Sequence, residues 1–113
     1  MDCIFCSIVQ GKIPAKIVYE DDDVLAFADV APQAPLHYLF IPRLHLSGLP
    51  EVEGEGYLLI QKIYKAINEV ARKEGLHENG FRVVMNSGAD GGQTVGHLHF
   101  HLLGKRHLQW PPG

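Results

Sequence analysis

His97-Leu98-His99-Phe100-His101-Leu102-Leu103 alternates imidazole with apolar side chains. Such alternation marks a β-strand, whose successive side chains point to opposite faces. Leu98, Phe100 and Leu102 then pack inward, while His97, His99 and His101 share the other face. Neighbouring imidazoles stand about 7 Å apart at Cβ, so two of them can reach one small group held between their rings. Upstream, Phe81 to Asn86 reads as another strand, and the connection from Ser87 to Gly96 is polar and glycine-rich. Its glycines let backbone N–H groups turn toward an anion, as phosphate-cradling loops do. Loop and histidine face converge, and the chain carries a net charge of -3 with no Lys/Arg cluster. Neutral backbone donors and imidazoles would therefore hold the anion, and a phosphate is the inferred ligand. Each ring in a purely structural role would need its own hydrogen-bond partner, which argues against three structural histidines behind one such loop. His-x-His on a strand can also place two imidazoles on one zinc or iron, given a further ligand from elsewhere.

Outward from this strand, Leu59, Ile60, Ile63, Tyr64, Ile67, Val70 and Ala71 recur at helical spacing from Gly56 onward, and Gly75 follows Lys73-Glu74 where a C-terminal cap belongs. Ile17-Val18-Tyr19-Glu20 and Val24-Leu25-Ala26-Phe27-Ala28 flank the polar turn Asp21-Asp22-Asp23, a hairpin. Asp29 to Pro35 is proline-punctuated loop, and Leu36 to Ile41 is a third strand ended by Pro42. Asp2-Cys3-Ile4-Phe5-Cys6-Ser7-Ile8-Val9 spaces its apolar residues as a short helix, stopped by Gly11 and Pro14. The tail Gln109-Trp110-Pro111-Pro112-Gly113 fits neither helix nor central strand. The order α-β-β-β-α-β-β predicts α+β, an antiparallel sheet with its helices on one face. At 113 residues and 46% hydrophobic, residues 1–113 suffice for one domain with a modest core. With a net charge of -3, nothing favours a DNA or RNA polymer or an anionic membrane as partner, and none of these is expected. No apolar run approaches the about 18 residues of a membrane span, and Met1-Asp2-Cys3-Ile4 lacks a basic signal-peptide head, so the cytoplasm is expected.

The histidine strand resembles the His-x-His-x-His-x-x signature, x hydrophobic, of the histidine triad (HIT) nucleotide hydrolases and transferases. The resemblance extends to Asp29-Val30-Ala31-Pro32-Gln33-Ala34-Pro35-Leu36-His37, Asn86, Gly91-Gly92-Gln93-Thr94-Val95 and Trp110-Pro111-Pro112-Gly113, which look like the Hint branch of purine nucleoside phosphoramidases. It implies a five-stranded antiparallel sheet with one long and one short helix, dimerising into a ten-stranded sheet. It also makes His99 the nucleophile toward the α-phosphorus of an adenosine or guanosine 5′-phosphoramidate, through a nucleotidylated histidine. The His97 carbonyl would hold the Nδ1–H of His99, His37 would buttress the site, and His101 would bind phosphate and, if protonated, stabilise the leaving amine. Asn86, Gln93, Thr94 and the Val95 N–H would take the remaining phosphate oxygens. Thr94 stands where the branch usually has Ser. Asp29 would accept both ribose hydroxyls, although a turn cap is the plain reading of an Asp before such a loop. Ile4, Phe5, Ile8, Phe27 and Val30 would form the purine slot, residues that read equally well as core. Trp110 would lie near the partner subunit's site and tune the leaving group.

Cys3 and Cys6 sit at i and i+3 of the short helix. Two free thiols are one reading. The other is half of a structural zinc site completed by His45 and His97, as in some bacterial HIT proteins; the triad chemistry itself requires no metal. Two alternatives to the phosphoramidase stand beside it. One is a dinucleoside polyphosphate hydrolase or nucleotidyltransferase of the same superfamily, and the other is a purine nucleotide-binding module without turnover.

Overall fold

The long amphipathic segment is helix α2, Gly56–Lys73, and Gly75 leaves it in the left-handed conformation (φ 76°, ψ 13°) that glycine adopts without steric cost. Ile63, Ala66, Ile67, Val70 and Ala71 of its inner stripe are buried against a five-stranded sheet. The computed structural model describes residues 3–113; Met1 and Asp2, the latter expected at the head of the short helix, lie outside the described residues. The strands are β1 (Ile17–Glu20), β2 (Val24–Ala28), β3 (Leu36–Pro42), β4 (Phe81–Met85) and β5 (Phe100–Gly104). Every pairing is antiparallel, in the order β1-β2-β3-β5-β4. The hairpin turn between β1 and β2 is held by Asp21, whose Oδ1 accepts from the N–H groups of Asp23 and Val24, both at 2.8 Å. A four-residue helix α3, Leu76–Asn79, links α2 to β4. Among the described residues no helix is long and apolar enough to cross a membrane.

Two expectations are corrected. Helix α1, Ile4–Val9, lies on the face of the sheet opposite α2, so the helices do not share one face. The reason lies in β2, where Val24-Leu25-Ala26-Phe27 is buried along its whole length. Val24 and Ala26 face α2, while Leu25 and Phe27, with Leu39 and Ile41 of β3, face Phe5 of α1. A continuous apolar run means a strand covered on both sides. The second correction is that the β5 ladder begins at Phe100, not at His97. Pro42 has no N–H to extend pairing on the neighbouring strand. Leu98 N–H donates instead to Leu46 O at 2.6 Å, tying the approach to β5 to the loop that follows β3. The alternation of side chains nonetheless holds, since Leu98, Phe100 and Leu102 all enter the core under α2.

Candidate active site

The register of β3 on β5 pairs His37 with Leu103 and Leu39 with His101, which sets the imidazoles of His37 and His101 side by side. Their hydrogen bonds fix the tautomers in series. Gln33 N–H donates to His37 Nδ1 at 3.0 Å, so the His37 proton is on Nε2. That Nε2–H faces His101 Nδ1 at 2.9 Å, with Asp29 Oδ2 at 3.4 Å as a weaker partner. His101 Nδ1 is therefore an acceptor, and its proton sits on Nε2. Burial, then the neighbouring His99 and His37, lowers the His101 pKa to about 4. His37 is also lowered by burial, partly offset by Asp29. At neutral pH His101 is thus a neutral Nε2–H donor. The imidazolium considered from sequence has no place for its second proton, because His37 already donates to Nδ1.

His99 is held differently. Its Nδ1 lies 2.7 Å from the carbonyl oxygen of His97, an acceptor only, so Nδ1 carries the proton and Nε2 keeps a free lone pair. The ring is 4% exposed and packs edge-on against Phe5, with centroids 5.3 Å apart.

His99 and His101 open onto a cavity of about 510 Å³, the size of a nucleotide-scale pocket. Its walls include Ile4, Phe5, Ile8, Phe27 and Val30, all expected for a purine slot, together with Asp29. Thr94 and Val95 reach it from the glycine-rich loop, which converges with the histidines as the sequence implied. Asp29 does two things: Oδ1 caps the following turn by accepting from Ala31 N–H at 2.9 Å, while Oδ2 is directed toward His37. Sequence reasoning missed Ile13, Pro14, Ala15, Lys16, Ala28 and Leu39 as further lining. Leu39 was within reach, because it pairs in register with both Phe27 and His101.

Three expected contacts are not brought to the cavity. Gln93 spends its amide on the loop: Oε1 accepts from Gly88 N–H at 2.9 Å, and Nε2 donates to Ser47 O and Val95 O at 2.7 and 3.0 Å. It shapes the loop rather than meeting a phosphate. Asn86, just past β4, is outside the lining, and Trp110 is 80% exposed and away from this chain's own cavity.

On the far side of His97, four donor atoms face one another. His97 Nε2 donates to Pro42 O at 2.9 Å, which leaves Nδ1 with its lone pair. That Nδ1 lies 3.1 Å from His45 Nδ1, 3.5 Å from Cys3 Sγ and 3.6 Å from Cys6 Sγ, and Cys6 Sγ is 3.2 Å from His45 Nδ1. All four atoms fall within 4.8 Å of one another. Tetrahedral zinc, with bonds of about 2.0–2.3 Å, needs ligand separations of about 3.3–3.8 Å, so spacing and donor chemistry both fit. Burial and the adjacent Cys3 push the Cys6 thiol up, a direction that a divalent cation between the sulfurs would reverse.

Fold and site together define a protein of the histidine-triad class: an antiparallel sheet that delivers imidazoles of fixed tautomer to one side of a nucleotide-sized pocket. Residues 10–108 match the HIT domain, and the chain belongs to that family. It is 46% identical to a 14 kDa zinc-binding protein of Brassica juncea, over 99% of this chain and 100% of the relative. A HIT family hydrolase of Legionella pneumophila superposes with a TM-score of 0.97 at 46% identity, covering 99% of this chain and 100% of that one. A histidine triad nucleotide-binding protein of Candida albicans gives 0.84 at 30% identity, covering 97% and 83%.

Proposed function

We propose that this protein is a purine nucleoside phosphoramidase that hydrolyses the P–N bond of adenosine or guanosine 5′-monophosphoramidates. The observation that carries this is the state of His99: Nδ1–H is held by the His97 carbonyl, and an unprotonated Nε2 is left beside the cavity. A neutral imidazole so oriented attacks without a separate base. Nε2 forms a bond to the α-phosphorus and the P–N bond breaks. Its electron pair leaves with the amine, which takes a proton from solvent. Water then attacks the nucleotidyl-histidine, giving OH to phosphorus and returning a proton, and His99 is regenerated. His101 donates its Nε2–H to a phosphoryl oxygen, and His37 fixes that orientation. Thr94 and the Val95 N–H supply further donors where charge develops. Asp29 Oδ2 is available to ribose hydroxyls, and Ile4, Phe5, Ile8, Phe27 and Val30 enclose the base.

Zinc bound by Cys3, Cys6, His45 and His97 would be structural, since four protein ligands leave no open position, and catalysis itself would require no cofactor. The zinc-binding relative from Brassica juncea supports the binding of zinc. Cysteines available to zinc rather than joined in a disulfide suit the reducing cytoplasm, which we propose as the location. We also propose a homodimer through β4, an edge strand on which Phe81 is exposed. Antiparallel pairing of two β4 strands would extend the sheet to ten, and Trp110 of one subunit would approach the other's cavity.

The test is release of a fluorescent amine from an adenosine 5′-phosphoramidate by wild type and His99→Ala, each with and without EDTA. Turnover that disappears in His99→Ala and persists after brief EDTA exposure supports the proposal. AMP binding without turnover would instead indicate a binding module, and immediate loss with EDTA a metal enzyme.

A further inference from the structure

Helix α1 has six residues, well below the about 12–15 at which a helix holds itself in water, and no acidic residue in its first turn. Nevertheless, Ile4, Phe5 and Ile8 on it form one wall of the cavity. Its attachments are few. Among the described residues, the backbone hydrogen bonds of residues 3–9 stay within the segment up to residue 13, as in Ser7 N–H to Cys3 O and Lys12 N–H to Ser7 O. Beyond apolar packing, chiefly of Phe5, only the sulfurs of Cys3 and Cys6 reach out of the segment, to His45 in the loop that follows β3 and to His97 in the approach to β5. His97 differs, because its ring is anchored on Pro42 O and its chain on Leu46 O through Leu98 N–H, independently of the sulfurs. The main core under α2 contains no residue of α1.

We propose that a metal ion in the Cys3–Cys6–His45–His97 cluster is a staple for α1, so that metal occupancy sets how tightly the base is held and leaves phosphate binding nearly untouched. This rests on reading the cavity as a purine nucleotide site. Three of the five base-side residues, Ile4, Phe5 and Ile8, are carried by α1, whereas the phosphate-side groups, His99, His101, Thr94 and Val95, are carried by β5 and the segment before it.

The test compares zinc-loaded protein, protein stripped with a chelator, and Cys6→Ser by calorimetric binding of AMP and of ribose 5-phosphate, which lacks the base. Amide hydrogen exchange of residues 4–9 is followed in parallel. Stripping is expected to weaken AMP at least about tenfold and to change ribose 5-phosphate less than about twofold. Exchange at residues 4–9 rises, and zinc restores both. Equal weakening of the two ligands, or unchanged AMP affinity, overturns the proposal, as does a protein that takes up no zinc. Failure of zinc-loaded protein to bind either ligand would refute the nucleotide reading instead. The exchange data then still decide the staple: protection of residues 4–9 that ignores zinc overturns it. Should Cys6→Ser fail to fold, the stripped wild type carries the same comparison.

Discussion

His101 gives the structure a specific sensitivity to acid. Its ordinary imidazole pKa of about 6.5 falls to about 4 in the fold, chiefly through burial. Between those values the unfolded chain binds the proton and the folded chain does not. Stability is therefore full above the unfolded value and is lost as pH falls from about 6.5 toward 4. For a drop from pH 8 to pH 5, the two values give about 2 kcal/mol for this one residue, and solvent access to a partly exposed ring reduces that to about 1–2 kcal/mol. His37, lowered by burial, acts in the same direction. The comparison is urea unfolding of wild type and His101→Gln at pH 8 and pH 5, at one protein concentration with zinc present. Wild type should lose about 1–2 kcal/mol more than the variant between the two pH values. Equal losses would refute the argument, because they would mean that His101 takes up a proton in the folded site as readily as in the unfolded chain.

Three substitutions test other parts of the fold. A Cβ at Gly104 would stand 2.8 Å and 3.0 Å from the buried Leu76 methyl groups, so Gly104→Ala should cost about 1–3 kcal/mol in thermal or urea unfolding. A Cβ at Gly91 would stand 2.6 Å from Ser87 O, backbone that moves only if the loop is rebuilt. Gly91→Ala should then weaken AMP binding at least about tenfold while shifting unfolding by less than about 1 kcal/mol. Gln93→Glu replaces the donor that bonds Ser47 O and Val95 O with an acceptor, and should raise amide exchange across residues 88–95 and weaken AMP without removing any direct contact to it. Retained affinity in Gln93→Glu would show that the loop does not depend on that clamp.

Local periodicity carried most of the fold. The stripe of α2, the Asp21 turn and the alternation around His99 are properties of neighbouring residues, and the chain displays them directly. The placement of α1 was less visible, because an apolar run such as Val24–Phe27 announces a strand but not how many layers cover it. Likewise, the alternating pattern at His97 persists past the end of the ladder, since side-chain direction continues where Pro42 stops backbone pairing. In the site, the resemblance singled out His99, His101, Asp29 and the apolar residues Ile4, Phe5, Ile8, Phe27 and Val30, which line one cavity. The roles of Gln93 and Lys16 were not legible: the first depends on Ser47, distant in sequence, and the second on the pairing of β1 with β2, where Ala28 N–H bonds Lys16 O. The neutral state of His101 also needed structure, because it follows from a chain of hydrogen bonds that starts at Gln33 N–H.

The central claim is that His99 Nε2 becomes covalently nucleotidylated, and the most direct measurement is mass spectrometry of enzyme quenched in alkali during turnover of adenosine 5′-phosphoramidate. The account predicts a transient adduct of one nucleoside monophosphoryl group on the peptide containing His99, absent from His99→Ala. Turnover without any adduct, or an adduct on another residue that survives His99→Ala, would contradict it.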